Sequence, residues 1–216
     1  MLYWGMIKYL IFDLDNTLYS SRHGLELGVA ERLKAFCGEF LGIPEEEAWQ
    51  ERKAAKQYGT CLEWLMAEKG FTDVEAYIAA AHPKGEADRL PRDTDLRIFL
   101  SDIRLPKAIL TNSPKEHADL ILDKLSIAGL FSHIFDIRSS GFMGKPRPEV
   151  FRNALDVLEI EAKEALFVDD LPSNVEAFAG MGGKALLFDE NGVHGECSVR
   201  RIRKLTEIRK FIGLRA

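Results

Sequence analysis

A chain of 216 residues, 46% hydrophobic and 29% charged, can bury its own core and needs neither a disulfide framework nor a structural metal to fold. Its formal net charge of -5 speaks against a nucleic-acid polymer or a membrane surface as partner. Three cysteines, Cys37, Cys61 and Cys197, without C-x-x-C spacing, read as reduced thiols of a cytoplasmic protein rather than as a zinc site.

In chain order, residues 1–10 are apolar but lack the basic start and small-residue cleavage site of a signal peptide, and no run is long enough to span a membrane. They lead into Lys8-Tyr-Leu-Ile-Phe-Asp13, a continuous apolar run suited to a central parallel strand covered on both faces. No strand pattern follows between residues 19 and 90. Leu25, Val29, Leu33, Phe36 and Phe40 recur at helical spacing until Gly42, and Pro44 opens a second helix. Residues 60–69 make a third, closed by Gly70, and Thr72-Asp-Val-Glu75 caps a fourth. Short apolar runs return at residues 107–111, 133–136, 165–169 and 185–188. Between them, Ser113-Pro-Lys-Glu116 reads as a capping box opening a helix to about Leu125, Pro148 starts one to about Leu158, and Pro172 starts one that Gly182 and Gly183 stop. Such alternation predicts an α/β fold with a doubly wound parallel sheet, built from residues 1–18 and 91–216, and an α-helical cap inserted at residues 19–90. The basic C-terminal stretch interleaves Val199, Ile202, Leu205, Ile208 and Ile212 with its charges, which predicts a closing strand and helix with a solvated basic face.

Four polar clusters fall at predicted strand ends, where open parallel sheets place their ligands. Asp13 and Asp15, two apart, suit a nucleophile beside a cation and a second acid kept for proton transfer. Thr111-Asn112-Ser113 offers a hydroxyl and an amide for a phosphate; Ser113 is explained as a helix cap, which leaves Thr111 and Asn112 as the phosphate ligands. Lys145, held between Gly144 and Pro146, can act as a point charge between nucleophile and phosphate. Asp169 and Asp170 end another apolar strand. Asp13, a backbone carbonyl near Asp15, and Asp170 make a plausible Mg2+ set, with Asp169 and Asn174 supporting the ligands from behind.

Taken in order, Asp-x-Asp, Thr/Ser, Lys and Asp-Asp resemble the haloacid dehalogenase-like hydrolase superfamily over nearly the whole chain. The insertion after Phe12-Asp-Leu-Asp-Asn-Thr-Leu18 looks like its first class of helical cap. The resemblance implies a Mg2+-dependent phosphatase acting on a small organic phosphate. Asp13 would attack in line to form an aspartyl phosphate, Asp15 would serve as acid and then base, and Lys145 would offset charge. Response-regulator receivers place their acidic pair first and have no cap. True dehalogenases of the superfamily lack the second acid, so Asp15 argues for phosphate chemistry. A finer resemblance joins Asp13-Leu-Asp-Asn-Thr-Leu-Tyr-Ser20, Tyr58-Gly-Thr-Cys-Leu62, Gly141-Phe142 and Lys145-Pro-x-Pro148 to the pyrimidine 5'-nucleotidase branch. It implies a pyrimidine nucleoside 5'-monophosphate as substrate, with Tyr19, His23 and Tyr58 as cap-pocket residues and Trp64 as core. The alternatives are a phosphomutase acting on a sugar phosphate and a non-catalytic binding protein on the same fold.

Overall fold

The computed structural model describes residues 7–212, so the start of the apolar stretch at residues 1–10 lies outside the described residues. The apolar runs become β1 (Tyr9–Phe12), β2 (Lys107–Leu110), β3 (His133–Phe135), β4 (Ala165–Asp169) and β5 (Lys184–Phe188), and the basic C-terminal stretch supplies β6 (Arg200–Ile202). They form one parallel sheet in the order β3-β2-β1-β4-β5-β6. The order reverses between β1 and β4, and at such a switch point the two crossovers leave in opposite directions and open a crevice at the strand ends.

Alternation along each strand divides the core into two layers. Leu10, Phe12, Ile109 and Val168 face α5 (Thr94–Asp102) and α6 (Lys115–Lys124), which contribute Phe99, Leu100, Ile121 and Leu122. Tyr9, Ile11, Leu110 and Phe167 face α7 (Pro148–Val157) and α8 (Pro172–Gly180), through Phe151, Leu155, Val175 and Phe178. Because both faces are covered, the inner strands β1, β2 and β4 are buried at every residue, whereas the edge strands β3 and β6 expose His133, Arg200 and Arg201.

Between β1 and α5 lie four helices: α1 (Leu25–Leu41), α2 (Glu45–Ala54), α3 (Cys61–Lys69) and α4 (Val74–Ala81). They share a core of their own around Trp64, Leu65, Phe71 and Tyr77. Gly42 and Gly70, at positive φ, stop α1 and α3, and Thr60 caps α3 by accepting from Glu63 N at 3.1 Å. Tyr19 on one crossing, and Ala87 and Leu90 on the other, pack with the sheet's core, so both connections between cap and core are buried.

Two local expectations need correction. Ser113 does not cap α6: the helix begins at Lys115, whose N–H donates to Asp136 Oδ2 at 3.1 Å, so a neighbouring strand end supplies the cap. The C-terminal stretch closes in a 3-10 helix, Leu205–Lys210, and not an α-helix.

Candidate active site

Asp13 directly follows β1 and its N–H continues the ladder to Val168 O at 2.8 Å, which sets it beside Asp169 at the end of β4. Lys145 bridges the two. Its Nζ donates to Asp13 Oδ1 at 2.6 Å and to Asp169 Oδ2 at 2.7 Å, and the side chain is 1% exposed. The lysine's backbone is clamped by Asn112, which accepts from Lys145 N at 2.7 Å and donates to Lys145 O at 3.2 Å. Asn174, third residue of α8, donates to both oxygens of Asp169 at 3.0 Å, and Thr17 donates to Asp13 Oδ2 at 3.1 Å. Thr111 is buried at the end of β2, with its hydroxyl accepting from Ser113 N at 3.0 Å.

Carboxylate oxygens of Asp13, Asp169 and Asp170 lie within 4.8 Å of one another, and the Lys145 ammonium pairs with the first two only. Burial pushes Asp13 up to about 7 against the pull of Lys145, with Asp169 and Asp15 adding to the rise. Burial, then Asp13 and Asp169, push Asp170 up to about 9. A hard divalent cation would relieve this repulsion, and an all-oxygen set with room for water fits Mg2+. The carboxylate of Asp15 lies outside this group, and Asp169 stands in it.

Asp15 turns the other way. Its Oδ1 accepts from Tyr19 OH at 2.6 Å and from His117 Nε2 at 2.7 Å, and its Oδ2 from Ser113 Oγ at 2.7 Å. Burial opposes the charge, but the His117 cation and the three donors prevail and hold Asp15 well below the usual carboxylate range. Ser113 therefore contributes its hydroxyl to the site rather than to a helix end. His117 escaped the sequence reading, although it is the third residue of the helix after β2, as Asn174 is of the helix after β4.

The sequence profile of the haloacid dehalogenase-like hydrolases matches residues 7–182, a span that includes the whole acid–lysine–acid centre. The chain belongs to this family of hydrolases. Phosphate metabolism protein 8 of Saccharomyces cerevisiae is 31% identical over 192 residues; the match covers 81% of this chain and 59% of the yeast protein, less than two thirds of its length. The validoxylamine A 7'-phosphate phosphatase of Streptomyces hygroscopicus is 27% identical over 180 residues, covering 80% and 81% of the two chains. A HAD phosphatase from Thermococcus onnurineus shares the fold with a TM-score of 0.61 at 22% identity, over 94% of this chain and 97% of that one.

In this hydrolase the acidic centre opens into a cavity of about 200 Å³ bordered by Asp13, Asp15, Thr111, Lys145, Asp170 and Asn174. A second cavity of about 320 Å³ lies between cap and core, walled by Val29, Trp49, Leu62, Tyr77 and Ile78. Glu26, Val29, His82, Asn112 and Ser113 border both, so the two adjoin. Arg52 also lines the larger one; its guanidinium donates to Ala55 O and Tyr58 O and has no carboxylate partner among the described residues. Of the expected cap-pocket residues, Tyr19 is buried against Asp15, Tyr58 lies beneath the Arg147 guanidinium, and His23 sits exposed in a short turn. None of the three borders either cavity. The cap seats on the core at Gly59, where a Cβ would stand 2.5 Å from the carbonyl oxygens of Gly144 and Lys145.

Proposed function

We propose that this hydrolase is a Mg2+-dependent phosphatase that cleaves a small organic phosphate monoester through an aspartyl phosphate on Asp13. The observation that carries the reading is the buried Lys145 bridge between Asp13 and Asp169, with a second acid, Asp15, two residues beyond. An anionic carboxylate can approach an anionic ester only where fixed positive charge offsets the repulsion, and Lys145 is held for that. Mg2+ at Asp13, Asp169 and Asp170 would add Lewis-acid charge at the transferring group.

Asp13 attacks phosphorus and the ester P–O bond breaks, with the proton for the leaving oxygen coming from Asp15. Asp15 is an anion in the arrangement described; the incoming phosphate dianion raises its proton affinity by like-charge repulsion, and Asp15 takes a proton from solvent as the ester binds and passes it to the leaving oxygen. In the second half Asp15 takes a proton from the attacking water and inorganic phosphate leaves. Thr111 offers its hydroxyl to the phosphate, while Asn112 serves by fixing Lys145. We take residues 19–90 as the cap that excludes water and holds the leaving group.

Gly59, Thr60, Cys61 and Leu62 of the segment shared with pyrimidine 5'-nucleotidases border the larger cavity, Trp49 and Tyr77 offer stacking faces, and Arg52 can donate to ring carbonyls. We therefore put UMP and CMP first among substrates. The net charge of -5 and a cavity of about 200 Å³ suit a small molecule rather than a polymer. Free thiols at Cys37, Cys61 and Cys197 suit the cytoplasm, and among the described residues no helix is long and apolar enough to cross a membrane. The test is kcat/KM for UMP, CMP, AMP, GMP, glycolate phosphate and a hexose phosphate in parallel. Equal or better turnover of AMP or of the hexose phosphate removes the pyrimidine assignment. No phosphate release from any of them, in Mg2+, removes the phosphatase.

A further inference from the structure

The cap connector and the core meet in a buried polar chain that the steps above do not use. Glu86 lies on the connector between α4 and α5, with a side chain 4% exposed. Its Oε1 faces His117 Nδ1 at 2.5 Å and His82 Nδ1 at 3.0 Å, and its Oε2 accepts from Arg32 of α1 at 3.0 Å. Arg32 in turn donates through Nε to Ala81 O at 2.8 Å, at the end of α4. His117, on α6 of the core, has a side chain 1% exposed, and its other nitrogen faces Asp15 Oδ1 at 2.7 Å. Both ring nitrogens therefore face carboxylate oxygens, which can only accept, so the ring must donate on both sides. An imidazole with two fixed acceptors cannot rotate or flip without losing a buried charge-assisted bond. The ring is thus a strut of set length between the cap connector and Asp15.

We propose that His117 is the positioning residue for Asp15, and that Glu86, carried on the cap connector, fixes His117 so that the acid–base group is aligned only while the connector is docked. The proposal rests on the reading of Asp15 as acid and base. It goes further in assigning that group's alignment to a histidine on a different core helix and a glutamate outside the four sequence clusters. Tyr19 and Ser113 also donate to Asp15, but Tyr19 lies on the other crossing and Ser113 on the core loop after β2, and neither is hydrogen-bonded to Glu86.

Leaving-group dependence tests this. A p-nitrophenolate departs without a proton, whereas an alkoxide needs one, so damage to acid catalysis falls on alkyl esters. The enzyme in Mg2+ is compared by rapid quench of the first turnover, which isolates departure of the leaving group from the water-activating step common to all esters, on p-nitrophenyl phosphate and on the alkyl ester of the panel above with the highest kcat/KM. His117→Ala should lower the first-turnover rate on the alkyl ester by about 10²-fold with the half-saturating concentration nearly unchanged, and should lower the aryl first-turnover rate by less than about fivefold. His117→Gln, which keeps a donor near the Nε2 position, should recover at least about tenfold of the alkyl rate. Glu86→Gln should show the same ester selectivity more weakly. Retained aryl turnover certifies folding, and if His117→Ala is insoluble the Gln variants carry the comparison. Asp15→Asn serves as the reference. If it is ester-selective and the His117 and Glu86 variants lose both esters equally, the positioning proposal is overturned while the role of Asp15 stands. If Asp15→Asn itself loses both esters equally, the acid–base reading fails, and the proposal with it.

Discussion

At the residue scale the centre has too much negative charge for its one ammonium. Asp13 and Asp170 are pushed up to about 7 and about 9 because burial and mutual repulsion disfavour their charged forms. Removing one carboxylate should therefore cost function but not stability. Asp13→Asn is expected to abolish turnover by at least about 10³-fold, since the attacking oxygen is gone. In chelator its melting temperature should equal or exceed that of the parent. Asp170→Asn should likewise melt no lower than the parent in chelator, yet gain little from added Mg2+. Loss of several degrees by either variant in chelator would show that these carboxylates hold the fold together rather than strain it. Asn174→Ala frees Asp169 from the two bonds that orient it, and the expected effect is a higher Mg2+ requirement with an unchanged fold, read from activity against Mg2+ concentration.

At the element scale the connector between α4 and α5 is tied to the core by charge as well as by Ala87 and Leu90. Burial opposes ionisation of Glu86, but His117 and His82 outweigh it and bring it from 4.5 to about 2. A carboxyl depressed on folding stabilises the protein above its unfolded value and loses that contribution as pH falls towards the folded one. The parent should thus lose stability relative to Glu86→Gln as pH falls below 4.5, by roughly 3 kcal/mol at most. Denaturant midpoints of the two proteins across that acid limb check it; parallel curves would refute it. The elements that local sequence decides were legible: apolar runs gave the strands, and Gly42 and Gly70 marked helix ends. Ser113 was not, because Ser-Pro-Lys-Glu looks the same whether its hydroxyl caps a helix or reaches an acid. Its true acceptor, Asp15, is 98 residues away, and the group that caps α6 comes from Asp136. Asp13 and the pair Asp169 and Asp170 stood out because they end strands, whereas Lys145 lies in a loop well beyond β3 and stood out only by its place between Gly144 and Pro146. His117, Glu86 and Arg52 lie within helices or a connector, where a charged residue looks like any solvated one. Tyr19 and Tyr58 look like pocket aromatics until packing turns one onto Asp15 and the other under Arg147.

At the scale of the whole molecule, a cation held as proposed at the switch point of the sheet would tie β1 to β4. Bound only by the folded protein, it should raise stability by about 2.7 kcal/mol at a hundred times its dissociation constant. Chelation is expected to remove activity and lower the melting temperature together. Mg2+ should restore activity better than Ca2+, which prefers more ligands at longer distances. Full turnover in excess chelator would count decisively against a metal here. The seat of the cap at Gly59 has a consequence for how such a protein can change its chemistry over time. Two backbones meet there with no side chain between them, so that surface has no freedom to drift: even an alanine at 59 would wedge the cap away from the lysine loop. Trp49, Arg52 and Tyr77 wall the larger cavity and do not border the acidic centre, so on the proposed reading they would meet the leaving group alone. Saturation mutagenesis should accept nothing but glycine at 59. At 49, 52 and 77 it should yield variants that keep aryl phosphate turnover and exchange one alkyl ester for another. New substrates would then be acquired by recutting the wall of the chamber while its seat stays as it is.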